Sequence, residues 1–183
     1  MTSTRDKLAI QAGYLFQQKG YHGVGLTEIL EKAGVPKGSL YHHFPDGKAD
    51  LALAAAQIAS TEVLRIIDAS FDPATDYRHG VTTFCHKLAK YFDIHEGKIG
   101  CPVSATLLGG PDNAAFRNAL SDIFGAWMKR LTDHAVRLGQ SNEVARSNAR
   151  RLLLSLEGAW TMAWADNDSD LLRGLPELLL GKT

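Results

Sequence analysis

Residues 26–48 read LTEILEKAGVPKGSLYHHFPDGK. This spelling predicts a short helix, a tight turn and a second short helix. Leu26, Ile29, Leu30 and Ala33 recur at spacings that share one helical face. Thr27 is placed to cap the first helix with its hydroxyl, while Glu28 and Glu31 suit the positive N-terminal end. Gly34 stops the helix where a left-handed residue carries the smallest penalty, and Val35 supplies an apolar plug for the turn. Pro36 presets the backbone for entry into a helix, where its missing N–H is not needed. Helix, tight turn, helix is the geometry of a helix-turn-helix.

Lys37, Gly38 and Ser39 open the second helix, and Tyr41, His42, His43 and Phe44 follow. Leu40 and Phe44, four apart, face inward and hold it on its scaffold. That leaves Lys37, Ser39, Tyr41, His42 and His43 for the outer faces, a surface dense in hydrogen-bond donors. A rod of this kind fits the DNA major groove, with its N-terminal residues near base edges and other donors on phosphates. Gly38 leaves room for close backbone approach. Beyond the Pro45-Asp46-Gly47 break, Lys48 starts another helix and is placed to meet a phosphate together with that helix's N-terminus.

The run from Thr27 to Lys48, with FQQKGY at Phe16 to Tyr21, resembles the N-terminal DNA-binding domain of the tetracycline-repressor (TetR) family of bacterial transcriptional regulators, especially its LmrA-like branch. Further on, the likeness is one of helical layout and a Gly-Cys-Pro element, Gly100 to Pro102. The resemblance implies a homodimeric repressor whose grip on double-stranded operator DNA is controlled by a small-molecule effector. Carried over position by position, it implies phosphate contacts for Thr27, Lys37, Tyr41, His43 and Lys48. It places Ser39 and His42 nearer the bases, and the backbone around Gly38 close to DNA. Gly25 departs from the pattern: many relatives carry Thr or Ser there, so a possible phosphate hydroxyl is missing.

A chain of 183 residues, 45% hydrophobic and 22% charged, has the composition of an ordinary globular protein with a substantial core. No apolar run approaches the roughly 20 residues of a membrane span. The opening MTSTRDKLAIQAG lacks the apolar stretch of a secretory signal, so the cytoplasm is the expected location. Net charge is zero, and residues 1–50 hold six Lys and Arg against five acids. That balance excludes a histone-like, non-specific binder, which would be far more basic. A dimer reading two defined half-sites needs only a locally positive face, which Lys37 and Lys48 supply.

A first helix is expected from about Arg5 to Lys19, with Ser3 and Asp6 resembling a capping box and Leu8, Ala12, Leu15 and Phe16 as its apolar stripe. A longer helix from Lys48 to about Ala69 is broken by FDPATD, and another runs near Tyr77 to His95. EGKIGCPVSATLLGGPDN is irregular. Long helices follow from about Asp112 to Leu138, and from a cap at Ser141 or Asn142 to about Ala165, with a short one near Pro176. The pattern predicts an all-α chain: an N-terminal three-helix helix-turn-helix domain, 1–47, then a larger helical ligand-binding and dimerisation domain, 48–183. Two long helices joined by a short loop suit antiparallel packing, and two copies would make a four-helix interface. Such a dimer would set its recognition helices about 34–36 Å apart, matching successive major grooves of a partly palindromic site.

All three tryptophans fall on the two long helices. Trp127, Met128, Trp160, Met162 and Trp164, with Phe84, Phe116 and Phe124, can line an apolar pocket or serve as plain core and dimer packing. The effector candidates are Phe84, Leu88, Phe124, Trp127, Glu157, Trp160, Thr161 and Trp164, and the ligand they suit is apolar or aromatic. His86 and His134 are further polar candidates. Cys85 and Cys101 have no zinc-site spacing, and tight packing of the irregular turn explains Cys101 better than a redox sensor. No cofactor or metal is expected; the adjacent His42 and His43 point different ways on a helix. The chain lacks the G-x-S-x-G, P-loop, G-x-G-x-x-G and H-E-x-x-H motifs of common enzymes. The remaining rival is a helical ligand-binding or protein-interaction module without sequence-specific DNA binding, and the intact Lys37 to Phe44 segment argues against it.

Overall fold

The computed structural model describes residues 3–111 and 114–182, and helices are the regular elements found among them. α1 (Thr4–Lys19) starts where Ser3 Oγ accepts the Asp6 N–H at 3.1 Å, the expected cap. Leu8, Ala12, Leu15 and Phe16 form its buried stripe. Gly20, at φ 68°, ends it by returning its N–H to Phe16 O. α2 (Leu26–Ala33) and α3 (Lys37–His43) follow, and then α4 (Lys48–Phe71).

The start of α2 corrects the expected cap. Its cap residue is Gly25, extended at φ −94° and ψ 150°, with no side chain to accept a bond. Thr27 lies inside the first helical turn, and a cap must stand just outside it. At the other end Gly34 adopts the left-handed conformation, φ 64° and ψ 37°, and its N–H reaches the Glu31 and Leu30 carbonyls.

α5 (Tyr77–Ile94) begins at Asp76, whose carboxylate accepts the His79 N–H at 2.8 Å. The irregular stretch holds one short helix, α6 (Ser104–Leu107). α7 (Ala114–Arg137) is the first of the two long helices; the expected start at Asp112 lies outside the described residues. α8 (Asn142–Asp166) is capped by Ser141 and closed by Asn167 at φ 51°. The terminal segment forms two short helices where one was expected, α9 (Asp170–Arg173) and α10 (Leu175–Leu180).

The chain divides into two compact units that do not follow its order. The first comprises Met1–Thr61 and Gly100–Ile123, the second Glu62–Ile99 and Phe124–Thr183, so α4 and α7 contribute to both. In the first, Gly100 N–H donates to Gln17 O at 3.1 Å, tying the Gly-Cys-Pro turn to the end of α1. In the second, Phe71 is fully buried among the rings of Tyr77, Phe84 and His134. There Asp68 also accepts from His134 Nε2 at 2.9 Å and from Arg130. Burial works to raise the Asp68 carboxyl, and the two hydrogen bonds with their charges outweigh it and hold the group below the usual carboxylate range. Among the described residues no helix is long and apolar enough to cross a membrane.

Candidate nucleic-acid interface

α3 is fastened from below and open above. Leu40 and Phe44 are each 1% exposed, and the Arg5 guanidinium sits 5.3 Å from the Phe44 ring centroid. Lys37, Gly38, Tyr41 and His42 are exposed, and Ser39 and His43 are half-buried. Burying two apolar side chains four apart sets the helix's rotation, which turns the donors outward. Gly38 has no protein atom within 4 Å of where a Cβ would stand, so internal packing does not demand a glycine there.

Tyr41 is 52% exposed, and its ring runs beside the turn after α3: a side-chain carbon at Gly47 would stand 3.6 Å from Tyr41 Cε1. That turn is tight. Gly47 sits at φ 64° with its N–H on Phe44 O, and Asp50 reaches back to accept the Asp46 N–H at 2.8 Å. Lys48, first residue of α4, is therefore delivered next to Tyr41's end of α3. Its ammonium lies 4.4 Å from the centroid of Tyr21, and burial draws its pKa below the ordinary lysine value. Thr27 is exposed in the first turn of α2, and Lys19 bridges to Glu28 at 2.5 Å, tying that turn to α1. The rings of His42 and His43 meet edge to face at 4.9 Å, although adjacent helical positions point apart. Among the described residues no group of three His, Cys, Asp or Glu is arranged to hold a metal ion.

The effector candidates separate. Phe84, Leu88, Trp127 and Trp160 are buried, Phe124 and Glu157 are half-buried, and Thr161 and Trp164 are exposed. Phe84 packs into the ring cluster around Phe71, while Phe124 and Trp127 meet edge to face at 5.5 Å. Trp160 donates its indole N–H to Ile99 O at 3.1 Å and lies among Tyr91 and Phe92. Tyr91, with His95 against it at 4.6 Å, is a member of this cluster that sequence reasoning missed. Its spacing from Leu88 placed it near that face, and nothing local told a packed tyrosine from a solvated one. Thr161 instead turns its hydroxyl to Glu157 O.

The family models match this arrangement segment by segment. Residues 11–55 match "Bacterial regulatory proteins, tetR family", and residues 78–177 match "Transcriptional regulator LmrA/YxaF-like, C-terminal domain". The chain belongs to the TetR family. The HTH-type transcriptional regulator LmrA of Bacillus subtilis is 30% identical over 183 residues, covering 96% of each chain. The crystal structure of a TetR regulatory protein from Rhodobacter sphaeroides superposes with a TM-score of 0.82, at 27% identity and 97% coverage of both chains. The TetR regulator CifR, solved as a cysteine mutant complexed with 26-base-pair double-strand operator DNA, has a TM-score of 0.79. At 23% identity, over 96% of this chain and 94% of that one, the CifR likeness is one of fold. This TetR protein is thus a DNA-binding transcriptional regulator with an N-terminal helix-turn-helix and an LmrA/YxaF-like helical remainder.

Proposed function

We propose that this TetR regulator is a homodimeric repressor that binds a partly palindromic operator and is released by a small, largely apolar or aromatic effector. The observation that carries the reading is the α3 face: donors held outward by two buried anchors, with an unfilled space over Gly38. Thr27, Lys37, Tyr41, His43 and Lys48 grip phosphates, Ser39 and His42 lie nearer the bases, and Gly38 admits close backbone approach. Residues 1–47 serve as the DNA-binding domain and 48–183 as the effector-binding and dimerisation domain.

On α8, Leu154 and Met162 are 66% and 56% exposed and eight residues apart, with exposed Gly158 between them. This stripe, with Trp164 and Thr161 nearby, suits the face of a second copy. The effector is best supported among Phe84, Leu88, Phe124, Trp127, Glu157 and Trp160, where aromatic surface is dense and Glu157 supplies a polar group. An effector that favours one setting of the two DNA heads lowers DNA affinity by its differential binding energy. The protein works in the cytoplasm and catalyses no reaction.

Selection of binding sites from random DNA by the purified protein at fixed salt tests this reading. Enrichment of an inverted repeat is expected. On the enriched duplex, Tyr41→Ala and Lys48→Ala weaken binding to all sequences about equally, while Ser39→Ala or His42→Ala alters base preference by about 1–3 kcal/mol at a contacted position. Failure of a folded dimer to enrich any sequence would favour a protein-interaction or ligand-binding module instead.

A further inference from the structure

We propose that Tyr21 is a positioning residue for the DNA grip: its ring holds Lys48 ready for a phosphate, and Phe116 fixes that ring from the segment 100–123. The inference rests on Lys48 touching a phosphate, as proposed above. All of these groups lie within the first compact unit.

Tyr21 stands just after the break that ends α1 at Gly20, and it is 7% exposed. Its ring stacks on fully buried Phe16 at 5.6 Å and 25°, and receives Phe116 edge-on at 5.7 Å and 87°. Neither neighbour can easily yield. A Cβ at Gly110 would stand 2.3 Å from Phe116 Cε1, so the Phe116 ring rests directly on the turn before α7. A Cβ at Gly109 would lie 3.9 Å from Tyr21 Cβ, which brings the same turn against the tyrosine itself. The clamped ring then meets Lys48, whose Nζ is 4.4 Å from the centroid.

The physical consequence follows from the lysine's flexibility. A free lysine at a helix start samples many rotamers, and fixing it on DNA removes that freedom. A ring face attracts the ammonium without using up its three N–H groups, so docking there orders the side chain and leaves donors for a phosphate. The lowered pKa of Lys48 indicates an ammonium already partly stripped of water by burial. Two ring contacts also lead from the segment 100–123 to a DNA-facing cation without passing through α3. A shift of Phe116 would therefore reach Lys48 through the Tyr21 ring.

The test is a double-mutant cycle on the full chain, using the duplex enriched by the wild type and fluorescence anisotropy across a salt series. Lys48→Ala is expected to flatten the slope of log affinity against log salt by about 0.9 for each phosphate that Lys48 neutralises. Tyr21→Leu is expected to weaken binding about 2- to 12-fold per protomer, the range for ordering one long side chain only on binding. It should add nothing in the Lys48→Ala background, and Tyr21→Phe, which keeps the ring, should bind like the wild type. Phe116→Leu, which leaves every residue of α3 unaltered, should weaken binding in the wild type and leave Lys48→Ala unchanged. It also serves as the deciding variant should Tyr21→Leu fail to fold. Equal weakening with and without Lys48, or none in either variant, would overturn the positioning role. An unchanged salt slope in Lys48→Ala would instead remove the phosphate grip on which the role depends.

Discussion

Substituting Gly80 by alanine sets two effects of opposite sign against each other. Gly80 lies in the first turns of α5, and in an open helix alanine would be favoured there by about 1 kcal/mol. The structure reverses that preference. A Cβ at position 80 would stand 2.3 Å from Phe71 Cδ1, 2.5 Å from Cε1 and 3.0 Å from Cγ. Carbon atoms in contact settle at about 3.5–4.0 Å, so the ring or the helix must retreat by more than about 1 Å. The ring has nowhere to go: it is fully buried, with Tyr77 at 6.0 Å, Phe84 at 6.5 Å and His134 at 5.4 Å between centroids. Overpacking costs about 1–3 kcal/mol, and a rigid ring on the receiving side places this clash in the upper half of that range. Net destabilisation of about 1–2 kcal/mol is expected after the propensity gain is subtracted. Urea denaturation followed by circular dichroism, at matched protomer concentration, reads it as a lower midpoint with an unchanged slope. Gly13→Ala is the internal control: it is also a buried helical glycine, but its Cβ would meet Ala55 Cβ at an ordinary 3.7 Å. That variant should gain about 0.5–1 kcal/mol. A Gly80→Ala protein as stable as the wild type, or two variants shifted the same way, would show that the Phe71 ring is not held against position 80.

Asp68→Ala leaves buried His134 without its 2.9 Å acceptor and should destabilise the protein by about 1–3 kcal/mol at pH 7. Because the folded-state pKa of Asp68 is depressed, its contribution is fully present above the unfolded carboxylate value of about 3.9 and is lost as pH falls through the lower folded value. The stability difference between wild type and variant should therefore narrow in denaturation series taken below about pH 4, and a pH-independent difference would count against the ion cluster. Gly25→Ser supplies the missing cap of α2, where a Cβ meets no atom within 4 Å, and should stabilise the protein by a few tenths of a kcal/mol, read from the denaturation midpoint. Cys85 is buried, and burial pushes its thiol up to about 12; it should resist alkylation in the native protein at about pH 8 and react on unfolding, as followed by mass spectrometry.

Helix limits and the helix-turn-helix were legible because they are set within a few residues along the chain. Ser3, Gly34 and Ser141 act on amides or carbonyls three or four positions away, so spelling alone locates the ends they make. The buried pair Leu40 and Phe44, and with it the outward face of α3, follows from helical periodicity in the same way. Thr27 marks the edge of this local rule. Two residues compete for one cap, and the backbone chose Gly25 because the helix already includes Leu26.

Tertiary structure decided what each side chain meets. Sequence shows three tryptophans on two long helices, yet burial separates Trp127 and Trp160 from Trp164, which is 55% exposed. Periodicity gives a residue's angle around its helix but not which angles a neighbouring element will cover. Asp68 finds His134 from 66 residues away, and Trp160 finds Ile99 from 61. Tyr21 gathers Lys48 and Phe116 from separate helices. Those meetings are created by the packing of whole helices, a property of the folded chain that no window of its sequence contains.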